Sequence, residues 1–197
     1  MTQAMASAFD PASEVSASSL TQRMTFSGEA LAILSGGGNV RQCLGELLNR
    51  GLAVDALAVV ARTLPVRYVV AWACECLKST LPLQARPSDV DRAGLALAQQ
   101  WLLDPCEENR RAAMEFAERG EFGSPGAWIA ASAGWSGGSL LPRGYDPVAP
   151  PEHLPAEAVV AALRLTASQG PDYRGTVSWF IDRALKIFGP VAVRAHV

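Results

Sequence analysis

The sequence LPVRYVVAWACECLK, residues 64–78, decides the fold class of this chain. Pro65 suits the first turn of a helix, and no further Pro or Gly follows until Pro82. At helical spacing two faces are apolar: Val66, Val69, Val70, Ala73 and Leu77 form one, and Tyr68, Trp72 and Cys76 form the other. A helix that is apolar on nearly all sides is surrounded by protein, so the stretch predicts a buried central helix over 65–78.

Composition and pattern extend this prediction to the whole chain. Hydrophobic residues make up 49% of its 197 residues and charged residues 18%, which is typical of a packed domain. Helical patterns follow one another and no strand alternation occurs. We therefore expect an all-α fold, with seven or eight helices in an irregular bundle or a short stack of helix hairpins around residues 65–78.

The N-terminal region reads differently from the rest. Residues 1–25 are rich in Ser, Ala and Thr and lack periodicity, which predicts a disordered tail before a single helical domain over 26–197. The segment Phe26 to Leu34 is compatible with a short helix or an isolated extended piece. The tail also lacks the basic start and apolar run of a signal peptide, so we expect a cytoplasmic protein.

Charge and cysteine usage argue against several kinds of partner. The formal net charge is −2, and no basic cluster exists beyond Arg110 and Arg111, so nucleic-acid binding is not expected. No helix has a basic face opposite an aromatic one, so membrane binding is not expected either. The cysteines and tryptophans occupy apolar helical positions and are interpreted as core residues: Cys43, Cys74, Cys76, Cys106, Trp72, Trp101, Trp128, Trp135 and Trp179.

Metal and cofactor sites are likewise not expected. The sequence has no CxxC motif, and its two histidines, His153 and His196, are far from any cysteine along the chain. We interpret both histidines as solvent-exposed and without a role.

The densest polar segment is Asp104-Pro105-Cys106-Glu107-Glu108-Asn109-Arg110-Arg111. Helix rules explain it: Asp104 caps the helix, Pro105 takes the first position, and acids favour the positive N-terminal end. Arg111 can pair with Glu107 or Glu108 along the surface. The structural cap and ion-pair residues are therefore Asp104, Glu107, Arg110 and Arg111, and an arginine reaching inward to loop carbonyls would also be structural. An active site of paired carboxylates with an arginine is the alternative.

A long Gly- and Pro-rich loop, residues 136–153, offers a candidate surface for a protein partner. The candidate partner-binding residues are Trp135, Gly137, Gly138, Leu140, Leu141 and Tyr145. The alternatives are a glycine-rich helix exit with Trp135 covering the core, and a nucleophilic Ser136 or Ser139. The nucleophile is disfavoured because His153 lacks strand–turn–helix context.

Three segments occur in a distinctive order. They are Leu64-Pro65 with Arg67 and Ala71-Trp72-Ala73-Cys74; Asp104 through Ala113; and Pro125, Ala127-Trp128 and Trp135-Ser136-Gly137-Gly138-Ser139-Leu140 with the proline-rich loop. As a set they resemble an uncharacterised family of small all-helical bacterial proteins, a domain of unknown function often encoded near type VI secretion genes. The resemblance implies a cytoplasmic accessory protein and supplies no catalytic residues.

We therefore expect a non-enzymatic interaction module, an accessory or adaptor protein in a type VI secretion context. Its partner would be a secretion-system component or an effector. Two alternatives stay open: an immunity protein that binds a cognate toxin, and an enzyme or effector that uses the Glu107–Arg111 cluster. No cofactor is expected, and the sequence does not define the oligomeric state.

Overall fold

A computed structural model describes residues 17–21, 25–83 and 88–188. These ranges contain nine α-helices and two short 3-10 helices, and no strand, which confirms the all-α fold. The α-helices are α1 (Gly28–Ser35), α2 (Val40–Asn49), α3 (Ala53–Thr63), α4 (Val66–Thr80), α5 (Asp89–Leu103), α6 (Glu107–Arg119), α7 (Pro125–Gly134), α8 (Leu154–Ser168) and α9 (Tyr173–Phe188). The 3-10 helices are Ala17–Thr21 and Leu81–Leu83. None of these described helices is long and apolar enough to cross a membrane.

Helix α1 resolves the segment that the sequence left open between helix and extended structure. The Ser27 hydroxyl accepts a hydrogen bond from the Ala30 N–H at 3.2 Å and so caps the helix. Asp55 fixes this cap, because its carboxylate accepts the Ser27 N–H at 2.9 Å and the Ser27 hydroxyl at 3.0 Å. The Asp55 carboxylate, which lies on α3, thus stabilises the start of α1, a helix with only a short apolar pattern of its own.

The described residues cluster into two compact units: those up to Leu64 together with those from Arg174 onward, and Pro65–Tyr173. In the first unit α2 packs against α1 and α3, and the 3-10 helix Ala17–Thr21 packs against α1 with Ala17 and Leu20 buried. That 3-10 helix falls inside the predicted disordered tail, most of which lies outside the described residues. The single helical domain over 26–197 stays a prediction.

In the second unit the central position belongs to α7 and not to the 65–78 helix. Helix α7 contacts α4, α5, α6 and α8, and all its residues except Trp128 are buried. Helix α4 buries six of its eight predicted apolar positions, with Val66 and Tyr68 half-buried, and contacts α5, α7 and α8. The sequence PGAWIAASAG consists mostly of small residues, which let neighbouring helices approach α7 closely.

Helices α5 and α7 approach each other closely at Gly94 and Gly126. A Cβ on Gly94 would lie 2.3 Å from the Gly126 carbonyl oxygen, so the two backbones are in direct contact. Asp91, one turn earlier on α5, is 1% exposed and accepts the Gly126 N–H at 2.8 Å. Its buried carboxylate therefore satisfies a free donor at the N-terminus of α7.

Helix α6 begins later than predicted. Cys106 is its N-cap, and Asp104 is the C-cap of α5, where its N–H donates to the Gln100 carbonyl at 3.0 Å. The reason is Pro105, because a residue before proline is driven out of helical conformation, and Asp104 has φ −135° and ψ 93°. Cys106 is accordingly half-buried at a helix start and not inside a helix.

Two other side-chain interpretations need correction. Trp179 is 37% exposed on α9 and is not a core residue, whereas Trp72 and Trp101 are buried as predicted. His153 is half-buried at the start of α8, with its Nε2 4.0 Å from a Glu157 carboxylate oxygen, and is not solvent-exposed. His196 lies outside the described residues.

Candidate functional site

The candidate site lies where the start of α6 meets the end of α7. A Cβ on Gly134, the last residue of α7, would be 2.8 Å from the Met114 Cβ and 3.1 Å from its Cα. Only glycine permits this approach, and it brings the first turn of α6 beside the last carbonyls of α7. The Ala131 and Ala133 carbonyls accept the N–H groups of Trp135 and Ser136, whereas the Gly134 carbonyl and the Ser139 carbonyl beyond it take their donors from another helix.

Arg110 supplies the donors. Its side chain is 7% exposed, and its Nε and Nη2 donate to the two Glu107 carboxylate oxygens at 2.6 and 2.7 Å. Its Nη1 donates to the Gly134 carbonyl, and its Nη2 also donates to the Ser139 carbonyl at 3.2 Å. One buried guanidinium thus joins α6, the end of α7 and the loop that follows, in the bidentate geometry that arginine favours.

Arg111 extends this network to the next part of the loop. Its Nε donates to Glu107 at 2.6 Å, and its Nη2 donates to the Leu141 carbonyl at 3.2 Å. The hydrogen bonds from Arg110, with the charges of both arginines, lower the pKa of Glu107 to about 2. Glu107 is therefore ionised at neutral pH, and its position at the N-terminal end of α6 favours that charge.

The remaining acids of this segment are arranged differently from the sequence prediction. Glu108 pairs with Arg143 in the loop and not with Arg111, and this bond lowers the pKa of the Glu108 carboxyl. Asp104 stays outside the arginine network: the Asn109 side chain donates to its backbone carbonyl at 2.8 Å and to its carboxylate at a long 3.5 Å. Of the four predicted cap and ion-pair residues, the structure therefore brings together Glu107, Arg110 and Arg111.

The segment 139–148, hereafter the 139–148 loop, is closed by its own hydrogen bonds. The Ser139 hydroxyl oxygen accepts the N–H groups of Leu141 and Val148 at 3.0 and 3.1 Å. The Leu140 N–H donates to the Val148 carbonyl at 2.8 Å. A loop whose ends meet in this way is compact and Ω-like. Ser139 is one of the two nucleophile candidates in the sequence, and in the structure its oxygen closes the loop.

Of the two glycines among the candidate partner-binding residues, only Gly138 is required by the backbone conformation at the start of the loop. Gly138 has φ +66°, and a Cβ there would lie 2.7 Å from the Arg110 Nε and 2.8 Å from a Glu107 oxygen. Its backbone therefore lies directly against the ion pair, in a conformation that favours glycine. Gly137 has no such constraint, since a Cβ there would meet nothing within 4 Å.

The 139–148 loop exposes apolar side chains although its backbone is held. Leu140 is 46% exposed, Leu141 37%, Tyr145 69% and Val148 46%. The first three are candidate partner-binding residues from the sequence, and Val148 belongs with them because the Ser139 hydroxyl draws both ends of the loop together. We call these four side chains the exposed apolar surface.

Trp135 takes part in an aromatic cluster beside the loop. Its ring stacks on Phe122 with centroids 5.8 Å apart, and Phe122 lies 5.2 Å from the ring of Trp128. Phe122 and the preceding Glu121 have positive φ values of 54° and 49°, a strained conformation for residues other than glycine. The sequence gives no signal for Phe122, because its position in a turn between two helices does not show that its ring packs against tryptophans.

A cleft of about 440 Å³ opens between α6 and the 139–148 loop. Its lining is Arg110, Arg111, Met114, Glu115 and Glu118 from α6, and Trp135, Ser139, Leu140 and Pro142 from the loop side. Among the described residues, no group of three or more His, Cys, Asp or Glu side chains is placed to hold a metal ion.

The described residues form an all-helical protein in which hydrogen bonds from Arg110 and Arg111 hold a surface loop. Residues 43–188 match the model of a family of unknown function, DUF6931, and the chain belongs to that family. No curated protein and no solved structure matches the chain.

Proposed function

We propose that this chain is a non-enzymatic protein-interaction module, an accessory or adaptor protein that contacts its partner through the exposed apolar surface. One observation carries the proposal: four apolar side chains are exposed on a loop whose backbone is tied to α6 and α7. Arg110 and Arg111 hold the Ser139 and Leu141 carbonyls, and Arg143 pairs with Glu108. Most exposed apolar residues occur singly and need no explanation, whereas a group of them on one fixed loop does.

The physical advantage of such a loop is a small loss of entropy on binding. An interaction surface that is ordered before the partner arrives avoids the free energy otherwise needed to order its backbone and side chains. Tyr145, the most exposed of the four, belongs to a residue type that often dominates binding energy. These features favour a preformed contact surface.

The Glu107–Arg111 cluster is less suited to catalysis. A general acid or base works best with a pKa near the working pH, whereas the pKa of Glu107 is lowered to about 2. Both arginines also donate hydrogen bonds to backbone carbonyls, and these N–H groups are not available to a substrate. The cluster is therefore interpreted as the support of the loop.

The partner we propose is a secretion-system component or an effector, in the cytoplasm of a bacterium with a type VI secretion system. This part of the proposal comes from the sequence resemblance to proteins encoded near such genes. An immunity role would use the same surface on a toxin. Co-expression with the candidate toxin distinguishes the two, because only an immunity protein restores growth.

Replacing Leu140, Leu141 and Tyr145 with Ser together tests the surface. We expect the tagged wild-type chain to retain a partner from native lysate, and the triple variant to lose at least nine tenths of it, because the apolar contact area is removed. Bound proteins are identified by mass spectrometry. The matched control is Val90→Ser with Leu103→Ser, two exposed apolar residues of α5 that are 50% and 87% exposed, and it should retain the partner.

Equal recovery by the triple variant and the wild type would contradict the proposed surface. If the expressed wild-type chain captured no protein from the lysate, the adaptor role itself would be contradicted.

A further inference from the structure

A proline-rich segment, residues 146–151 with the sequence DPVAPP, runs from the end of the 139–148 loop towards α8. The segment belongs to no helix or turn, and the side chains of Pro147, Val148 and Ala149 are exposed. Of these residues only Val148 belongs to the exposed apolar surface. The segment is therefore a feature of the loop that the proposed function does not yet explain.

Proline fixes the backbone of nearly the whole segment. Each proline has φ near about −65°, and the residue before a proline is driven into extended conformation. One or both of these rules apply to Asp146, Pro147, Ala149, Pro150 and Pro151. A proline φ combined with an extended ψ is the conformation of the polyproline II helix.

Val148, to which neither rule applies, is held by hydrogen bonds. Its N–H donates to the Ser139 hydroxyl oxygen at 3.1 Å, and its carbonyl accepts the Leu140 N–H at 2.8 Å. Further along, the Pro151 carbonyl accepts the N–H of Leu154, the first residue of α8, at 3.1 Å. The segment is thus anchored at its middle and at its end, so its conformation is set before a partner binds.

The polyproline II conformation gives the segment a regular pattern of side chains. Such a helix has three residues per turn, so Pro147 and Pro150 lie on one edge and Asp146 and Ala149 on the next. Each turn therefore presents one residue followed by a proline. Segments with prolines three residues apart are bound by proteins in grooves lined with aromatic side chains.

We propose that residues 146–151 are a polyproline II ligand, which the partner protein binds in a groove lined with aromatic side chains. Pro147 and Pro150 pack between the aromatic rings of that groove, and the exposed apolar surface packs beside it. This inference rests on the proposed function and deepens it by stating the kind of binding site that the partner presents.

Addition of the segment to the edge of a partner's β-sheet fits less well. Strand pairing uses backbone N–H groups, and proline has none. The Val148 N–H already donates to Ser139, so at most the N–H groups of Asp146 and Ala149 could pair with a strand. Recognition of the segment therefore depends on its side chains.

Replacing Pro147 and Pro150 with Ala together tests the ligand. When the tagged full chain captures its partner from native lysate, we expect this double variant to retain at least tenfold less of it, because both proline contacts are lost. The matched control is Pro171→Ala, which changes an exposed proline between α8 and α9 and should capture the partner as the wild type does.

A competitor distinguishes the loss of these contacts from a change in the shape of the loop. Decaproline forms a polyproline II helix, so in excess it should release most of the partner from the wild-type chain. A flexible decapeptide of Gly and Ser is the control and should release none.

Two results would overturn the proposal: full capture by the double proline variant, or capture that excess decaproline leaves unchanged. Neither result affects the role of the exposed apolar surface. Loss of capture in the Leu140, Leu141 and Tyr145 variant would then still support the proposed function, so the two failures are distinguishable.

Discussion

Arg110→Met lowers the free energy of unfolding by about 3 kcal/mol, because it removes the donor of the buried Gly134 carbonyl and of two part-buried acceptors, the Glu107 carboxylate and the Ser139 carbonyl. The methionine fills similar space, so the effect comes from the lost hydrogen bonds and charge. Glu107 loses its bidentate partner, and the Gly134 and Ser139 carbonyls lose theirs. Urea denaturation followed by tryptophan fluorescence measures the change.

Arg111→Met is the matched control for this variant. The Arg111 side chain is 31% exposed and Leu141 is an exposed residue, so water replaces the lost bonds and the decrease should be about 1 kcal/mol or less. Equal losses in the two variants would show that Arg110 is not the residue that fixes the loop.

Gly94→Ala lowers the free energy of unfolding by about 3 kcal/mol or more, since the added methyl group meets backbone and cannot be accommodated by a side-chain movement. The new Cβ would lie 2.3 Å from the Gly126 oxygen and 2.4 Å from its carbonyl carbon. Helices α5 and α7 must then separate, and the hydrogen bond from the Gly126 N–H to Asp91 lengthens with them. Thermal unfolding by circular dichroism measures the loss.

The control for this substitution is Gly45→Ala in the interior of α2. A Cβ there would meet nothing within 4 Å, so alanine should raise stability by about 0.5–1 kcal/mol through its better helix propensity. An unchanged stability of Gly94→Ala would contradict the close packing of α5 on α7.

Local rules predicted most of the helices because their signals are contained in a few residues. Asn39, Ser88 and Ser124 cap α2, α5 and α7, and such caps are local because each needs only one side chain and the next three amides. The centre of the second unit was not predictable in this way. Helix α7 is apolar all round and has no polar face to orient it, so its pattern does not show how many helices surround it.

The site was predictable only in part, for a related reason. The sequence allowed an arginine to reach loop carbonyls, and Arg110 and Arg111 do so. It allowed Arg111 to pair with Glu107 or Glu108, and Glu107 is the partner, whereas Glu108 pairs with Arg143, 35 residues further along the chain. Helical spacing gives contacts within one helix, and the contacts that form the cleft depend on how the loop returns to α6.

The order of the 139–148 loop before binding is open to one measurement, hydrogen exchange in the free protein followed by mass spectrometry. The amides of Leu140, Leu141 and Val148 all donate hydrogen bonds within the loop. We expect peptides covering the loop to exchange at least tenfold more slowly than an unstructured chain, and Ser139→Ala to remove much of this protection. Exchange of the wild-type loop at the unstructured rate would contradict a preformed contact surface.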